Sequence, residues 1–142
     1  MTGVRSRYEQ GAEIRRAVLG DRYTSRALDG ASEFAQPMQD LVTEYCWGEI
    51  WGNPDLDRRS RSLVNLALLS ALNRQQELAA HARGAITNGC TRAEVQAVLL
   101  QVAVYCGVPA GLEAFRTVEA ALDEADLSSE PSTDGGDGTG QG

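Results

Sequence analysis

Lysine is absent from this 142-residue chain, and all 13 of its basic residues are arginines. This absence excludes chemistry that needs a lysine side chain: a Schiff-base nucleophile, a pyridoxal-phosphate attachment site and the phosphate-binding lysine of a P-loop. Histidine is nearly as scarce, because His81 is the only one. A histidine-rich metal site cannot form within one chain, and we expect no metal centre.

Positive charge is in deficit. The 13 basic residues face 20 acidic ones, which gives a formal net charge of −7. A protein that binds nucleic acid needs a basic surface that displaces counterions from phosphates, so we expect no nucleic-acid partner. No window approaches the ~18 apolar residues of a membrane span, and residues 1–16 lack the apolar stretch of a secretory signal. The composition indicates a soluble cytoplasmic protein with no membrane partner.

Cysteine is sparse and its spacing is uninformative. The three cysteines, Cys46, Cys90 and Cys106, are odd in number and contain no CxxC pair. Because they are scattered singly in a chain without a secretion signal, we interpret them as reduced thiols in the core.

Two regions differ in composition. Residues 128–142 contain no aliphatic or aromatic side chain, so burial cannot offset the entropy of ordering them, and we predict a disordered tail. Residues 1–127 have the apolar periodicity of amphipathic helices, and no segment shows the period-two alternation of a half-buried strand. We therefore predict one all-α domain of about six or seven helices. A capping box, Thr91-x-x-Glu94, marks the start of one of them.

One polar stripe lies on a helix predicted to run from Arg74 to about Thr87. Arg74, Glu77 and His81 stand at positions i, i+3 and i+7, which places them on one helical face. A guanidinium, a carboxylate and an imidazole in one stripe could anchor an anion and donate a proton. A solvated face with an exposed ion pair fits the same spacing, so the spacing alone leaves both interpretations open.

Two further features are candidate binding elements. Arg58, Arg59 and Arg61 cluster at the start of an apolar helix, where positive charge opposes the helix dipole unless an anion offsets it. Arginine is suited to bidentate recognition of carboxylates, although surface charge beside neighbouring acids is the alternative. The run Tyr105–Pro109 ends another apolar helix and either lines a pocket or simply turns the chain.

Three blocks of sequence carry a family resemblance. They are WG..W…LDRR.RSL at 47–63, LN…EL..H.RGA..NG at 72–89 and VYCGVPA at 104–110. Together they resemble the carboxymuconolactone decarboxylase family, and more narrowly the γ-carboxymuconolactone decarboxylases of protocatechuate breakdown. The resemblance extends from about Tyr8 to about Leu122. It implies the helical fold of the alkylhydroperoxidase D-like superfamily.

The chain departs from the thiol peroxidases of that superfamily at one motif. Those enzymes carry CxxCxxxH, whereas here Arg74 and Glu77 stand where the two cysteines would be and only His81 is kept. Without the thiol pair no disulfide cycle can run, so the departure favours decarboxylase over peroxidase chemistry.

The resemblance implies a specific reaction: conversion of 4-carboxymuconolactone to the enol-lactone of 3-oxoadipate and carbon dioxide, in the protocatechuate branch of the 3-oxoadipate pathway. We expect no cofactor, because the electrons of the departing carboxylate flow through the ring alkene into the lactone carbonyl.

We assign roles to the candidate residues on that basis. Protonated His81, steadied by Glu77, delivers the proton to carbon or stabilises the dienolate. One or more of Arg58, Arg61 and Arg74 hold the substrate carboxylates, and their bidentate geometry orients the ring. Tyr105 is a further predicted substrate-binding residue.

The sequence leaves the oligomeric state and the reaction undecided. The resemblance implies a homo-oligomer, commonly a hexamer, with sites near subunit contacts. One alternative function is a decarboxylase or lactone-processing enzyme of the same fold in another pathway. The other is a non-catalytic oligomeric binding module, which would tolerate loss of His81 and Glu77.

Overall fold

Helices form all the regular secondary structure of residues 3–129, the part of the chain that this computed structural model describes. In chain order they are α1 (Arg7–Leu19), α2 (Asp21–Asp29), α3 (Gln36–Leu41), a π-helix (Val42–Ile50), α4 (Arg58–Ala71), α5 (Gln75–Thr87), α6 (Arg92–Cys106) and α7 (Val108–Ser129). The all-α prediction is confirmed. None of the described helices has the length and apolar character needed to span a bilayer.

The predicted tail falls almost entirely outside the described residues. Ser128 and Ser129 are helical and complete α7. The rest of the predicted tail, 130–142, lies beyond the described part of the chain.

Side chains that cap helices explain where two of them begin. Thr91 accepts a hydrogen bond from the Glu94 amide while the Glu94 carboxylate accepts one from the Thr91 amide, which confirms the predicted capping box of α6. Asp57 caps α4 by accepting a 2.7 Å hydrogen bond from the Ser60 amide. This bond to the ionised carboxylate lowers the pKa of Asp57.

The buried side chains form two clusters, and α5 packs against the elements of both. A small cluster between α1 and the π-helix consists of Ile14, Val18, Trp47 and Trp51. The larger one joins α4, α5, α6 and α7 and includes Leu66, Leu78, Val95, Leu99 and Val118. At Gly84 of α5, an added Cβ would lie 3.1 Å from the Val18 carbonyl oxygen, so α5 also fits tightly against α1.

The three cysteines are free, but only one of them lies in the core. Cys90 is buried, whereas Cys46 and Cys106 are exposed, so the predicted core placement is wrong for those two. Cys46 lies on a solvent-facing side of the π-helix, and Cys106 ends α6 at the surface.

The backbones of α1 and the π-helix are in direct contact at Gly11. A Cβ there would lie 1.8 Å from the Thr43 carbonyl oxygen and 2.8 Å from the Gly48 amide nitrogen. Gly48 is equally constrained, because its own Cβ would lie 2.5 Å from the Arg7 carbonyl oxygen. Any side chain at either glycine would push the two helices apart.

The substitution Gly11→Ala tests this contact. Although alanine favours helix formation by about 1 kcal/mol over glycine, the clash with backbone atoms cannot relax locally, and we expect a net loss of about 3 kcal/mol in the free energy of unfolding. Urea denaturation measures it. Gly3→Ala is the control, because a Cβ at Gly3 meets nothing within 4 Å. Equal stability of the two variants would contradict the close contact.

Candidate active site

His81 lies against two indole rings. Its imidazole is parallel to the ring of Trp47, with an interplanar angle of 1° and a centroid distance of 5.8 Å. Trp51 stacks on it at 6.1 Å, and the two indoles contact each other at 4.8 Å. The π-helix therefore supplies an aromatic wall, and α5 supplies the titratable group that faces it.

The π-helix determines which way the indoles of this aromatic wall face. Its i→i+5 hydrogen bonding is visible where the Trp51 amide donates to the Cys46 carbonyl at 3.0 Å. Thr43, Trp47 and Trp51 are spaced four residues apart and all three are buried. Their face is the one turned toward α1 and α5.

Burial controls the electrostatics of His81. It lowers the pKa of His81 from the usual 6.5 to about 4, since the stacked site disfavours the charged ring. The carboxylate of Glu77 raises the pKa by a smaller amount, and the positive charge of Arg15 lowers it. The ligand-free protein therefore holds a neutral imidazole at pH 7, whereas the role that we assigned from the sequence uses the protonated ring.

The contact with Asn65 on α4 indicates the tautomer of that neutral ring. Its amide Nδ2 lies 3.4 Å from His81 Nδ1. An amide NH₂ can only donate, so Nδ1 accepts and the ring proton belongs on Nε2. The imidazole thus presents an Nε2–H donor on the side away from α4.

The predicted stripe on α5 is only partly formed. Glu77 and His81 are one turn apart within the helix, and Glu77 is exposed. Arg74 precedes the helix with non-helical dihedrals (φ −102°, ψ 76°), because Asn73 has a positive φ of 56° that turns the chain out of α4. Arg74 is exposed and does not follow the helical repeat of the other two.

The arginine cluster at the start of α4 splits into three environments. Arg59 forms an ion pair with Glu94 of α6. Arg61 donates to the carbonyls of Leu56 and Asn53, both at 3.1 Å, and so braces the loop before α4. Arg58 is exposed and lines a cavity.

That cavity measures about 460 Å³ and shares one wall with the aromatic site. Trp51 both stacks on His81 and lines the cavity, together with Ile14 and Arg58. His81 itself is not among the lining residues. Trp51 is therefore the residue that connects the cavity with the aromatic site.

Tyr105 lies elsewhere in the protomer. It is 82% exposed and lines an apolar groove between α4 and α6, with Val64 and Leu68 on the opposite side. None of the groove residues belongs to the aromatic site. The structure does not bring Tyr105 together with His81 within this part of one chain.

Arg15 is a functional candidate that the sequence analysis missed. It lies on α1, one turn after Gly11, and is 6% exposed. Its Nη1 donates to Gln39 Oε1 at 3.0 Å and to Thr43 Oγ1 at 3.4 Å. The sequence does contain a signal, because Gly11 and Arg15 are four residues apart and so are Gln39, Thr43 and Trp47. These two spacings can be related to each other only when the two segments are known to be in contact.

No cluster of three or more potential metal ligands is present among residues 3–129. The polar groups of the site are an imidazole, an amide, a guanidinium and hydroxyls, which bind and orient anions and transfer protons.

The family model for the carboxymuconolactone decarboxylase family matches residues 36–120. That span includes the π-helix, the aromatic wall, His81 and most of α7. The chain belongs to this family.

Individual relatives point to two reactions within the family. The chain is 40% identical to nitrosuccinic acid decarboxylase npaB of Metarhizium robertsii over 117 residues, which cover 82% of each protein. It is 37% identical to 4-carboxymuconolactone decarboxylase of Acinetobacter baylyi over 124 residues, which cover 87% of this chain and 92% of the relative. A 45-residue match to 4-carboxymuconolactone decarboxylase of Pseudomonas putida is 36% identical and covers 32% of this chain.

His81 of this family member can be titrated without ambiguity, because it is the only histidine. We expect the imidazole resonances in ¹H–¹⁵N NMR spectra to titrate with a midpoint near pH 4 and to show the Nε2–H tautomer above it. Asn65→Leu is the control for the tautomer, since it removes the donor to Nδ1. A midpoint near 6.5 would mean that the ring is not buried as described.

The same shift predicts how stability depends on pH. The unfolded chain binds the proton near pH 6.5 and the folded chain only near pH 4, so His81 makes the protein less stable as the pH falls through this window. His81→Phe should remove that component. The difference between wild type and variant in unfolding free energy should change by about 3 kcal/mol between pH 7 and pH 4.

Proposed function

We propose that this protein catalyses the cofactor-independent decarboxylation of 4-carboxymuconolactone to 3-oxoadipate enol-lactone and carbon dioxide. The observation that carries the proposal is the 37% identity to the Acinetobacter decarboxylase across nearly the whole of both chains. The partly buried imidazole and its aromatic wall support the proposal, because they can supply the chemistry that the reaction needs.

The substrate acts as its own electron sink. The bond between the ring carbon and the carboxylate breaks, carbon dioxide leaves, and the electron pair moves through the ring alkene into the lactone carbonyl. The resulting dienolate then takes one proton on carbon. The protein must hold the substrate, stabilise the dienolate oxygen and supply that proton.

His81 meets the second and third needs. Its neutral Nε2–H donates a hydrogen bond to the developing oxyanion beside the two stacked indoles. A bound polycarboxylate raises the pKa of His81, because negative charge beside the ring favours imidazolium. Glu77, one turn away, acts in the same direction. The proton thus becomes available when the substrate is bound.

Arginine side chains near the cavity hold the substrate carboxylates. Arg58 is best placed, since it lines the cavity that Trp51 borders. Arg74 is exposed at the start of α5 and is a second contact. Arg61 contributes mainly by holding the loop before α4 in place.

Nitrosuccinate is a second candidate substrate, favoured by the 40% identity to the Metarhizium relative. Its nitro group can accept the electron pair of the departing carboxylate just as a conjugated carbonyl does. Both molecules lose one carboxylate from a carbon next to an electron sink and keep another carboxylate.

The two substrates should be compared directly. Purified protein is mixed with 4-carboxymuconolactone generated in situ and, separately, with nitrosuccinate, and carbon dioxide and product are followed by NMR. We expect a kcat/KM at least tenfold higher for the lactone. The reverse preference would replace the proposed substrate by the nitro acid, and a folded protein inactive on both would reject decarboxylation of these two acids.

His81→Phe tests the catalytic role of the imidazole. Phenylalanine keeps an aromatic ring against the two indoles but has no N–H, so we expect turnover to fall by about 10²–10⁴-fold while the fold is retained. Gln76→Ala, at an exposed position of the same helix, is the matched control and should stay within twofold of wild type. Full activity of His81→Phe would move the proton donor elsewhere.

We also propose that a second copy of the chain covers the groove between α4 and α6, as part of a hexamer. The groove has an apolar lining, and Val64, Leu68 and Tyr105 are exposed there in the protomer. Light scattering should give the mass of a hexamer, and Leu68→Glu should reduce it. Leu127→Glu, at an exposed position outside the groove, is the control. A monomeric wild-type protein would contradict the proposal.

A further inference from the structure

Arg15 is a buried charge without a counterion. It is 6% exposed, yet no carboxylate among residues 3–129 forms an ion pair with it, and its Nε–H has no hydrogen-bond partner there. Its Nη1 bonds only to the neutral groups of Gln39 and Thr43. An arginine remains charged under these conditions, and a buried unpaired charge is costly.

The neighbours of Arg15 do not offset this charge at neutral pH. The titratable groups that act on it are Tyr8, Tyr23 and Cys46, which are phenols and a thiol. Desolvation by the neighbouring protein atoms raises the pKa of the Cys46 thiol, so the thiol carries no charge at pH 7. The guanidinium therefore lies among neutral polar groups, and a single negative charge beside it would be stabilised.

The hydrogen bonds already formed leave one edge of the guanidinium free. Thr43 donates its hydroxyl proton to the Gln39 carbonyl at 2.7 Å, so its oxygen can accept from Arg15. Gln39 and Thr43 together hold Nη1. The Nε–H and Nη2 edge has no acceptor among the described residues, and this edge has the geometry that binds both oxygens of a carboxylate.

The π-helix connects Arg15 with His81. Thr43, which holds Arg15, is one turn before Trp47, whose indole lies parallel to the imidazole. The charge of Arg15 also acts on His81 directly. Both residues are thus placed on one face of the π-helix.

We infer that Arg15 is a substrate-binding residue whose guanidinium binds the carboxylate that the substrate keeps during the reaction. The departing carboxylate is excluded on physical grounds. It must lose its charge to become carbon dioxide, so an ion pair with it would stabilise the ground state more than the transition state. An ion pair with the retained carboxylate is equally strong throughout and fixes the orientation of the reacting bond. The choice of this carboxylate rests on the proposed function, whereas the anion site itself does not.

Binding of succinate tests the site without any turnover. Succinate presents carboxylates but has no electron sink, and tryptophan fluorescence reports its binding because both indoles stack on His81. We expect a saturable change with wild type and a Kd about 100-fold higher for Arg15→Gln. Arg16→Gln removes the adjacent guanidinium of α1 and should leave the Kd unchanged. Succinamide, the neutral diamide, should give no change.

Two results of that experiment would overturn the inference: no saturable change with wild type, or equal Kd values for wild type and Arg15→Gln. The assay also separates the two proposals. If succinate binding depends on Arg15 but neither candidate substrate is decarboxylated, the proposed reaction fails and the carboxylate site stands. If the reaction occurs and Arg15→Gln alters neither KM nor succinate binding, only the carboxylate site fails.

Thermal unfolding gives a second test. If Arg15 had only a structural role, its removal would lower the melting temperature instead of raising it. Arg15→Met keeps much of the side-chain length and removes the uncompensated charge, so the melting temperature of the ligand-free variant should rise by about 4 °C. Saturating succinate should stabilise wild type and not the variant. A lower melting temperature, or failure of the variant to fold, would mean that Arg15 already pairs with an acidic group, for example from another copy, and would overturn the inference.

Discussion

The direct contact between the backbones of α1 and the π-helix is the constraint on which the site depends. Gly11 lets α1 rest on the Thr43 carbonyl, and this spacing brings the next turn of α1 against the same face of the π-helix. Arg15 occupies that turn, so its burial follows from the packing of its helix. One turn further along the π-helix, Trp47 reaches His81. A single close approach of two helices thus places the guanidinium and the imidazole on one surface.

Burial places Arg15 in an unfavourable charge state and shifts the protonation of His81. Arg15 is charged where burial disfavours charge, and His81 is kept neutral at a pH where it would otherwise be partly protonated. A negative ligand relieves both conditions at once, because it pairs with the guanidinium and favours imidazolium. Preorganised groups of this kind stabilise a developing anion without further rearrangement. The arrangement therefore suits a reaction in which negative charge enters with the substrate and moves during the chemistry.

The sequence was sufficient to predict the helices but not the way in which they pack against each other. Apolar periodicity and the Thr91–Glu94 capping box are local signals, and they correctly indicated an all-α domain. The π-helix has no such signal, because its residues fit an α-helix equally well in composition. Arg74 could not be separated from the α5 stripe without knowing the positive φ of Asn73. Arg15 could not be recognised at all, since one arginine on an amphipathic helix gains meaning only from the helix that covers it.

The proposed site recognises features that the two candidate substrates share despite their different electron sinks. A lactone conjugated to an alkene and a nitro group share little structure, but both leave a delocalised anion when carbon dioxide departs, and both substrates keep a carboxylate. In the site that we propose, a guanidinium for the retained carboxylate and an Nε2–H for the new anion recognise only these shared parts. Selection between the two electron sinks must then come from the groups that lie beside His81, which include the indoles of Trp47 and Trp51. The proposed substrate preference therefore depends on the positions that the π-helix gives to the indoles of Trp47 and Trp51.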